Sequence, residues 1–315
     1  MISIIIPVFN SENTIEILVN NIVKVLGENY KFEIILVNDS SKDSSEEKCK
    51  KLVEKCSRVV LYSLSKNVGE HNAVMAGLNN CSGDYAVIMD DDLQHSVDSL
   101  LDLIKFGIKE KNNFDVVYAY YDKMKYNLFR NFGRKFNDLV ANLLLDKPRF
   151  LYLSSFKFIN RFLVSEIIKC NSPFVYIDGV ILGITNKIGR VKVEHDQRAQ
   201  GKSGYTLKKL LQVWSSMFTG FSIVPLRLSL IFGSMLSILG FIFALLTIIE
   251  RIIDNTIPSG YATIIIVITI FSGTILIALG LLGEYVGRIF VHLNNKPQFI
   301  IRNTWSNKKK SSNQN

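Results

Sequence analysis

The 315-residue sequence has only four cysteines, and no two of them form a CxxC pair. Cys49, Cys56, Cys81 and Cys170 are scattered, without a histidine at ligand spacing. That argues against a disulfide framework and a zinc site, and fits a reducing compartment. No GxGxxG follows the first apolar run, which disfavours a dinucleotide-dependent dehydrogenase. GxxxxGKS and GxxxxGKT are both missing, which disfavours a P-loop nucleotide hydrolase. There is no internal repeat. The start, MISIIIPVFN, lacks the basic region and the long apolar run of a secretion signal, so the N-terminal domain is expected in the cytoplasm.

What is present is apolar, basic and unevenly arranged. Hydrophobic residues make up 48% and charged residues 21%, and 37 Lys and Arg against 28 Asp and Glu give a net charge of +9. Such a basic excess suits nucleic acid, a membrane surface or a phosphorylated ligand. No basic stripe with interleaved aromatics marks the first two hundred residues, and much of the excess flanks apolar runs, so nucleic acid is not an expected partner. Composition shifts near Pro225. Leu228–Ile249 and Tyr261–Leu282 are long apolar runs without a formal charge, each about 30 Å as a helix, and predict two membrane spans. Lys208, Lys209, Arg227, Arg288, Lys296, Arg302 and Lys308–Lys310 lie outside the runs, and the short link between them has one Arg and two acids. The positive-inside rule then puts both outer ends in the cytoplasm. Thr206–Phe221 has apolar residues at helical spacing with lysines on one side, and predicts a helix in the membrane interface; a surface helix packed on the preceding domain is the plainer alternative. The expected organisation is a cytoplasmic domain over 1–205, an interfacial helix over 206–225, a two-helix membrane hairpin over 226–289 and a cytoplasmic tail over 290–315.

The first 120 residues alternate strand and helix. Ile2–Val8 is a continuous apolar run that suits a strand buried on both faces. Asn10–Leu26 carries Ile15, Leu18, Ile22 and Leu26 on one face, and Gly27 marks a stop. Phe32–Asn38, Arg58–Leu64, Tyr85–Met89 and Val116–Tyr120 read as further strands, and Asp43 or Ser44 caps a helix. This pattern predicts an α/β domain, Rossmann-like, with a mainly parallel sheet flanked by helices. Ligands of such sheets bind beyond the carboxyl ends of the strands.

Those ends carry the chemistry. Strand one runs into Pro7-Val8-Phe9-Asn10, strand two into Asn38-Asp39-Ser40-Ser41, and strand four into Asp90-Asp91-Asp92-Leu93-Gln94-His95. Three adjacent carboxylates repel, and a divalent cation resolves the repulsion. Carboxylate and amide oxygens are hard donors suited to Mg²⁺ or Mn²⁺. A solvated acidic turn before a helix is the plainer alternative.

The segments PVFN, VNDSS and DDD resemble, in order and spacing, the family 2 glycosyltransferases of the GT-A fold. Asn67–Gly77, DDDLQH, Gly201–Thr206, Pro225–Arg227 and Gly280–Arg288 extend the resemblance to polyprenyl-phosphate glycosyltransferases, within the undecaprenyl-phosphate formamido-arabinose transferase and bactoprenol glucosyltransferase group. The match covers the chain to about Arg302. The resemblance implies that Pro7, Phe9 and Asn10 line a nucleobase pocket, that Asp39 hydrogen-bonds the base, and that Lys66 and Asn67 close the pocket. It implies Asp90 at the ribose, Asp92 on the metal with Asp90 and Gln94 as further ligands, and Asp90, Asp91 and Asp92 as the catalytic triplet. Arg130 and Arg134 share a face at helical spacing; with Lys135 they suit a lipid-linked phosphate. Arg198 and Lys202 sit in a Gly-containing loop suited to closing over a diphosphate.

Several positions depart from the family pattern, and where relatives read DDGS this chain reads Asn38-Asp39-Ser40-Ser41 and keeps only the second Asp. Ser11 stands where relatives commonly carry an acid, Asp91 where many carry a small residue, and Lys157 where an Arg is common; Lys keeps the charge without the bidentate fork, and is expected at the acceptor phosphate or the diphosphate with the other basic residues. The implied enzyme is an inverting transferase that moves a sugar from a nucleotide-sugar, UDP-linked by resemblance, to polyprenyl phosphate. A phosphomonoester is largely dianionic at neutral pH and needs no strong base. Mg²⁺ or Mn²⁺ as cofactor, a bilayer, a homo-oligomer (tetrameric by resemblance) and the bacterial inner membrane complete the expectation. A processive polysaccharide synthase, which would show more spans and a QxxRW segment, and a non-catalytic membrane scaffold are the alternatives.

Overall fold

The computed structural model describes residues 1–121 except 28, 153–193 except 174, a few positions between 231 and 242, and 260–293 and 297–307. The chain divides into two units, Met1–Gly204 with Pro297–Asn315, and Tyr205–Lys296.

In the first unit, β1 (Ile2–Val8), α1 (Ile15–Leu26), β2 (Phe32–Asn38), α2 (Ser45–Lys55), β3 (Val59–Leu64), α3 (Glu70–Asn79), β4 (Tyr85–Ile88), α4 (Val97–Lys109) and β5 (Val116–Tyr121) follow in order. After them come β6 (Lys157–Asn160), α5 (Arg161–Ile167), α6 (Ile177–Ile184), β7 (Ile188–Val193) and, much later, β8 (Ile301–Ser306). One eight-stranded sheet holds them in the order β7-β5-β6-β4-β1-β2-β3-β8. The strands β4, β1, β2 and β3 run parallel, as their apolar runs require. The sheet as a whole is mixed. β6 enters antiparallel between β4 and β5, and β8 lies antiparallel on the β3 edge.

β1 shows how the core divides. Ile4, Ile6 and Val8 face the layer of α1, α2 and α4, while Ile5 faces α3 on the opposite side. That is the period-two alternation of a pleated strand covered on both faces. The approach of α3 is close enough that a Cβ on Gly77 would lie 2.4 Å from Ile5 Cγ2.

Two elements differ from the sequence expectation. α1 begins at Ile15, not Asn10, because residues 10–14 form a loop that hydrogen-bonds the β2–α2 connection: Lys42 N–H donates to Asn10 Oδ1 (2.9 Å) and Ser44 N–H to Glu12 Oε2 (3.1 Å). The segment expected as a tail returns to the sheet as β8. Gln298 Nε2 donates to the carbonyls of Cys170 (3.3 Å) and Ser172 (2.7 Å), and Lys50 sits 4.4 Å from the Trp305 ring centre.

The second unit contains α7, a 33-residue helix over Tyr261–Leu293. Ile264, Ile268, Ile275, Leu276 and Leu279 on it are exposed. Among the described residues no helix is long and apolar enough to cross a membrane. The expected first span and the interfacial helix lie mostly or wholly outside the described residues, as do several side chains of α7.

Candidate active site at the carboxyl edge of the sheet

Among the described residues three that are not glycine have left-handed backbone: Asn10 (φ 54°), Ser40 (φ 56°) and Leu93 (φ 62°). Each stands just past the end of a neighbouring parallel strand, β1, β2 and β4 respectively. Such conformations cost on the order of 1 kcal/mol or more each and gather at functional sites. The chain therefore places its backbone strain along the edge where an α/β sheet binds ligands.

Asp39 sits at the β2 exit, 3% exposed. Its Oδ1 accepts from Val68 N–H (2.7 Å) and its Oδ2 from Gly69 N–H (2.9 Å), and Asn67 Nδ2 donates to its carbonyl (3.2 Å). Gly69 holds a φ of 89° there, just before α3. Burial pushes the Asp39 carboxyl above its ordinary value, against the lowering effect of the two backbone donors. Asp39 thus joins the exit of β2 to the start of α3. Pro7 is buried at the end of β1, Phe9 is 43% exposed beyond it, and Asn10, Lys66 and Asn67 are exposed around the same edge.

The acidic triplet separates into three environments. Asp90 Oδ2 accepts from Ser155 Oγ (2.6 Å) and lies 3.5 Å from His95 Nε2. Desolvation pushes Asp90 up, but His95, Ser155 and the Lys157 charge outweigh it and hold its pKa below the usual carboxylate range. His95 stacks on Phe156, with ring centres 4.5 Å apart. Asp91 Oδ2 faces β1, accepting from Phe9 N–H (3.2 Å) and the Ser11 hydroxyl. Burial raises its pKa to about 6, with the charges of Asp90 and Asp92 adding to the rise. Asp92 Oδ1 accepts from Gln94 N–H (3.1 Å).

A second charged cluster lies beside the triplet. Lys157 is 3% exposed and ion-paired with Asp178 Oδ1, to which the Tyr118 hydroxyl also donates (2.8 Å). Lys157 is therefore an interior charge, met by a carboxylate from α6. Glu70 keeps solvent-exposed surface, yet its carboxyl is crowded by protein; that desolvation, with the Asp90 charge and against the opposing Lys157, raises its pKa to about 7. His71 meets Tyr176 edge-on at 5.1 Å, and burial lowers its pKa to about 4, so it is neutral at physiological pH.

The structure brings Pro7, Phe9, Asn10, Asp39, Lys66, Asn67, Asp90, Asp91, Asp92 and Gln94 to one edge of the sheet. Arg130, Arg134, Lys135, Arg198 and Lys202 lie outside the described residues. The sequence reading did not single out Ser155, Asp178, Tyr118 or Glu70. Asp178 was the most legible of them, as a lone acid within the apolar stretch YIDGVILGI.

Among the described residues no three His, Cys, Asp or Glu side chains converge as a metal cluster. A cation on a substrate diphosphate needs less, because one or two carboxylates and the phosphates themselves complete its shell. The hard oxygen donors of Asp90, Asp92 and Gln94 fit that demand.

Fold and site define an α/β enzyme whose acids line the carboxyl edge of its sheet. The family model described as glycosyl transferase family 2 matches residues 3–168, more than half of the chain, so the chain belongs to that family and is a glycosyltransferase. Among curated proteins it is 31% identical to the undecaprenyl-phosphate 4-deoxy-4-formamido-L-arabinose transferase of Edwardsiella ictaluri, over 96% of this chain and 93% of that protein. It is 28% identical to the enzyme of the same name from Photorhabdus laumondii, over 99% and 97%. It is 29% identical to the uncharacterized glycosyltransferase YkcC of Bacillus subtilis, over 96% and 94%. Among solved structures, glucosyl-3-phosphoglycerate synthase of Mycobacterium tuberculosis shares the fold, with a TM-score of 0.50 and 18% identity over 69% of this chain and 80% of that one.

Proposed function

We propose that this glycosyltransferase moves a sugar from a nucleoside diphosphate sugar to a polyprenyl phosphate, undecaprenyl phosphate by similarity, with inversion at the anomeric carbon. The observation that carries the reading is the near full-length similarity to undecaprenyl-phosphate transferases in a chain whose triplet and Asp39 share one sheet edge. In this reading Phe9 stacks on the base, Asp39 holds the pocket wall and accepts from the base edge, and Lys66 and Asn67 close over it. Asp90 faces the ribose. Mg²⁺ or Mn²⁺ held by Asp92, Asp90 and Gln94 would neutralise the diphosphate as it leaves. The acceptor phosphate is already charged and attacks the anomeric carbon without a strong base. Arg130, Arg134 and Lys135 offset the charge of the lipid phosphate, while Arg198 and Lys202 close over the diphosphate and exclude water.

The acceptor tail stays in the bilayer, so the reading includes a membrane hairpin over 226–289, an interfacial helix over 206–225, a cytoplasmic catalytic domain and placement in a bacterial inner membrane. The uncharged apolar runs Leu228–Ile249 and Tyr261–Leu282 of the sequence support that part. A homo-oligomer through the membrane-proximal region belongs to the same reading.

The test is transfer. The full chain in lipid nanodiscs is offered a short polyprenyl phosphate and labelled UDP-, dTDP- and GDP-sugars, with and without EDTA. Lipid-linked sugar from one donor, lost in EDTA, is the expected outcome. Nucleotide binding without transfer from any donor would contradict the acceptor assignment.

A further inference from the structure

Asp91 stands between two residues expected to hold a cation, yet its contacts run the other way. Its Oδ2 takes both the Phe9 N–H (3.2 Å) and the Ser11 hydroxyl. These two residues flank Asn10, whose φ of 54° is one of the three left-handed turns at this edge. The opposite side of the same loop is tied to the β2–α2 connection and the start of α2: Asn10 N–H donates to Ser41 Oγ (3.1 Å) and Ser11 N–H to Ser45 Oγ (2.7 Å). Asp91 is the side chain from the β4 exit that closes this frame. What the frame holds is Phe9, an aromatic ring 43% exposed at the rim of the site. A stacking ring gains nothing from being near a base unless its plane is fixed, and the main chain on either side of the ring fixes it.

We infer that Asp91 is a positioning residue for the nucleobase platform, a latch that fixes the Phe9–Ser11 loop, and not a ligand of the cation. The role of Phe9 as that platform rests on the nucleotide-sugar reading above; the latch itself rests on the hydrogen bonds alone. Asp91 and Ser11 both depart from the family pattern, and they meet in this contact. A hydroxyl on one side and a carboxylate on the other make the 11–91 hydrogen bond, and exchanging them preserves that bond but not the one from Phe9 N–H.

Three variants of the full chain in nanodiscs test the inference: Asp91→Ser, Asp91→Asn, and the exchange Ser11→Asp with Asp91→Ser. Hydrogen exchange of residues 9–13 is read without ligand, and nucleotide affinity and its Mg²⁺ requirement are read by titration. Loss of the latch in Asp91→Ser is expected to speed exchange at Phe9 about tenfold and to weaken nucleotide binding about tenfold, the equivalent of one hydrogen bond. The Mg²⁺ concentration for half-maximal binding should stay within about twofold. Asp91→Asn, whose amide oxygen still accepts both donors, should lie near the parent protein, while the exchanged pair should recover part of the nucleotide affinity through the 11–91 bond and leave exchange at Phe9 fast. Unchanged exchange in Asp91→Ser, or a Mg²⁺ requirement raised about tenfold, would overturn the latch. If the parent protein binds none of UDP, dTDP and GDP, the nucleotide reading fails, and the exchange measurement still decides the latch.

Discussion

The two edges of the sheet treat buried carboxylates in opposite ways. At the amino edge, Glu33 is buried and fully engaged: Ser3 Oγ (2.7 Å), Ser82 N–H (2.8 Å) and Ser82 Oγ (2.8 Å) all donate to Oε1, and Gly83 N–H donates in turn to Ser3 Oγ (2.8 Å). No left-handed non-glycine residue is found there among the described residues. At the carboxyl edge, three consecutive acids crowd together, three non-glycine turns are left-handed, and the pKa values of Asp91 and Glu70 are pushed up to about 6 and about 7. Burial of an acid is therefore not what marks the site. What sets the carboxyl edge apart is that burial raises the pKa values of Asp91 and Glu70 beside left-handed backbone, where an α/β sheet binds ligands. Glu33 holds the amino edge together, and the triplet lies at the edge proposed to bind the donor.

The comparison breaks if the two edges respond alike. The largest expected effect is on catalysis: Asp92→Ala should lower transfer on the order of 10³-fold while the folded state persists, checked by turnover and circular dichroism. Next comes Lys157→Met, which strands Asp178 in the interior and should cost about 3–5 kcal/mol in denaturant unfolding. Lys157→Met with Asp178→Leu should recover most of that stability. Any activity still missing would then report a role for the pair at the site and not in folding. At the other edge, Glu33→Ala should cost about 1–3 kcal/mol by leaving Ser3 and Ser82 without their acceptor, with the donor KM unchanged.

The smallest effect is in pH dependence. A carboxyl whose pKa is raised by folding stabilises the protein most when protonated, and that stability is lost as pH rises through the folded pKa. With EDTA present, melting temperature should fall as pH rises from about 4 to about 7, the window set by Asp91 and Glu70. Asp91→Asn and Glu70→Gln should each flatten part of that fall.

The same contrast separates what was legible in the sequence from what was not. Continuous apolar runs revealed β1 and β2, and the acids at the strand ends revealed the binding edge, because both are local patterns. β6 slipping antiparallel between β4 and β5 was not legible; Lys157–Asn160 is four residues long, and its pairing is decided by the sheet it enters. β8 was hidden for a similar reason, since IRNTWS gains its strand character from the open edge of β3. Lys157 reads as a phosphate contact in a line of sequence, and only the fold supplies Asp178 and Tyr118 beside it. Asp39 shows the opposite. Its position was evident from the strand end, while its bonds to Val68 and Gly69 needed the turn before α3.

The most direct test is a cryo-electron microscopy structure of the full chain in nanodiscs with Mn²⁺ and the nucleoside diphosphate that supports transfer. The expected result is the ion on Asp92, the base against Phe9 above Asp39, and Asp91 still holding Ser11. A nucleotide bound away from the exits of β1, β2 and β4, or an ion held by Asp91 with the Ser11 contact broken, would contradict it.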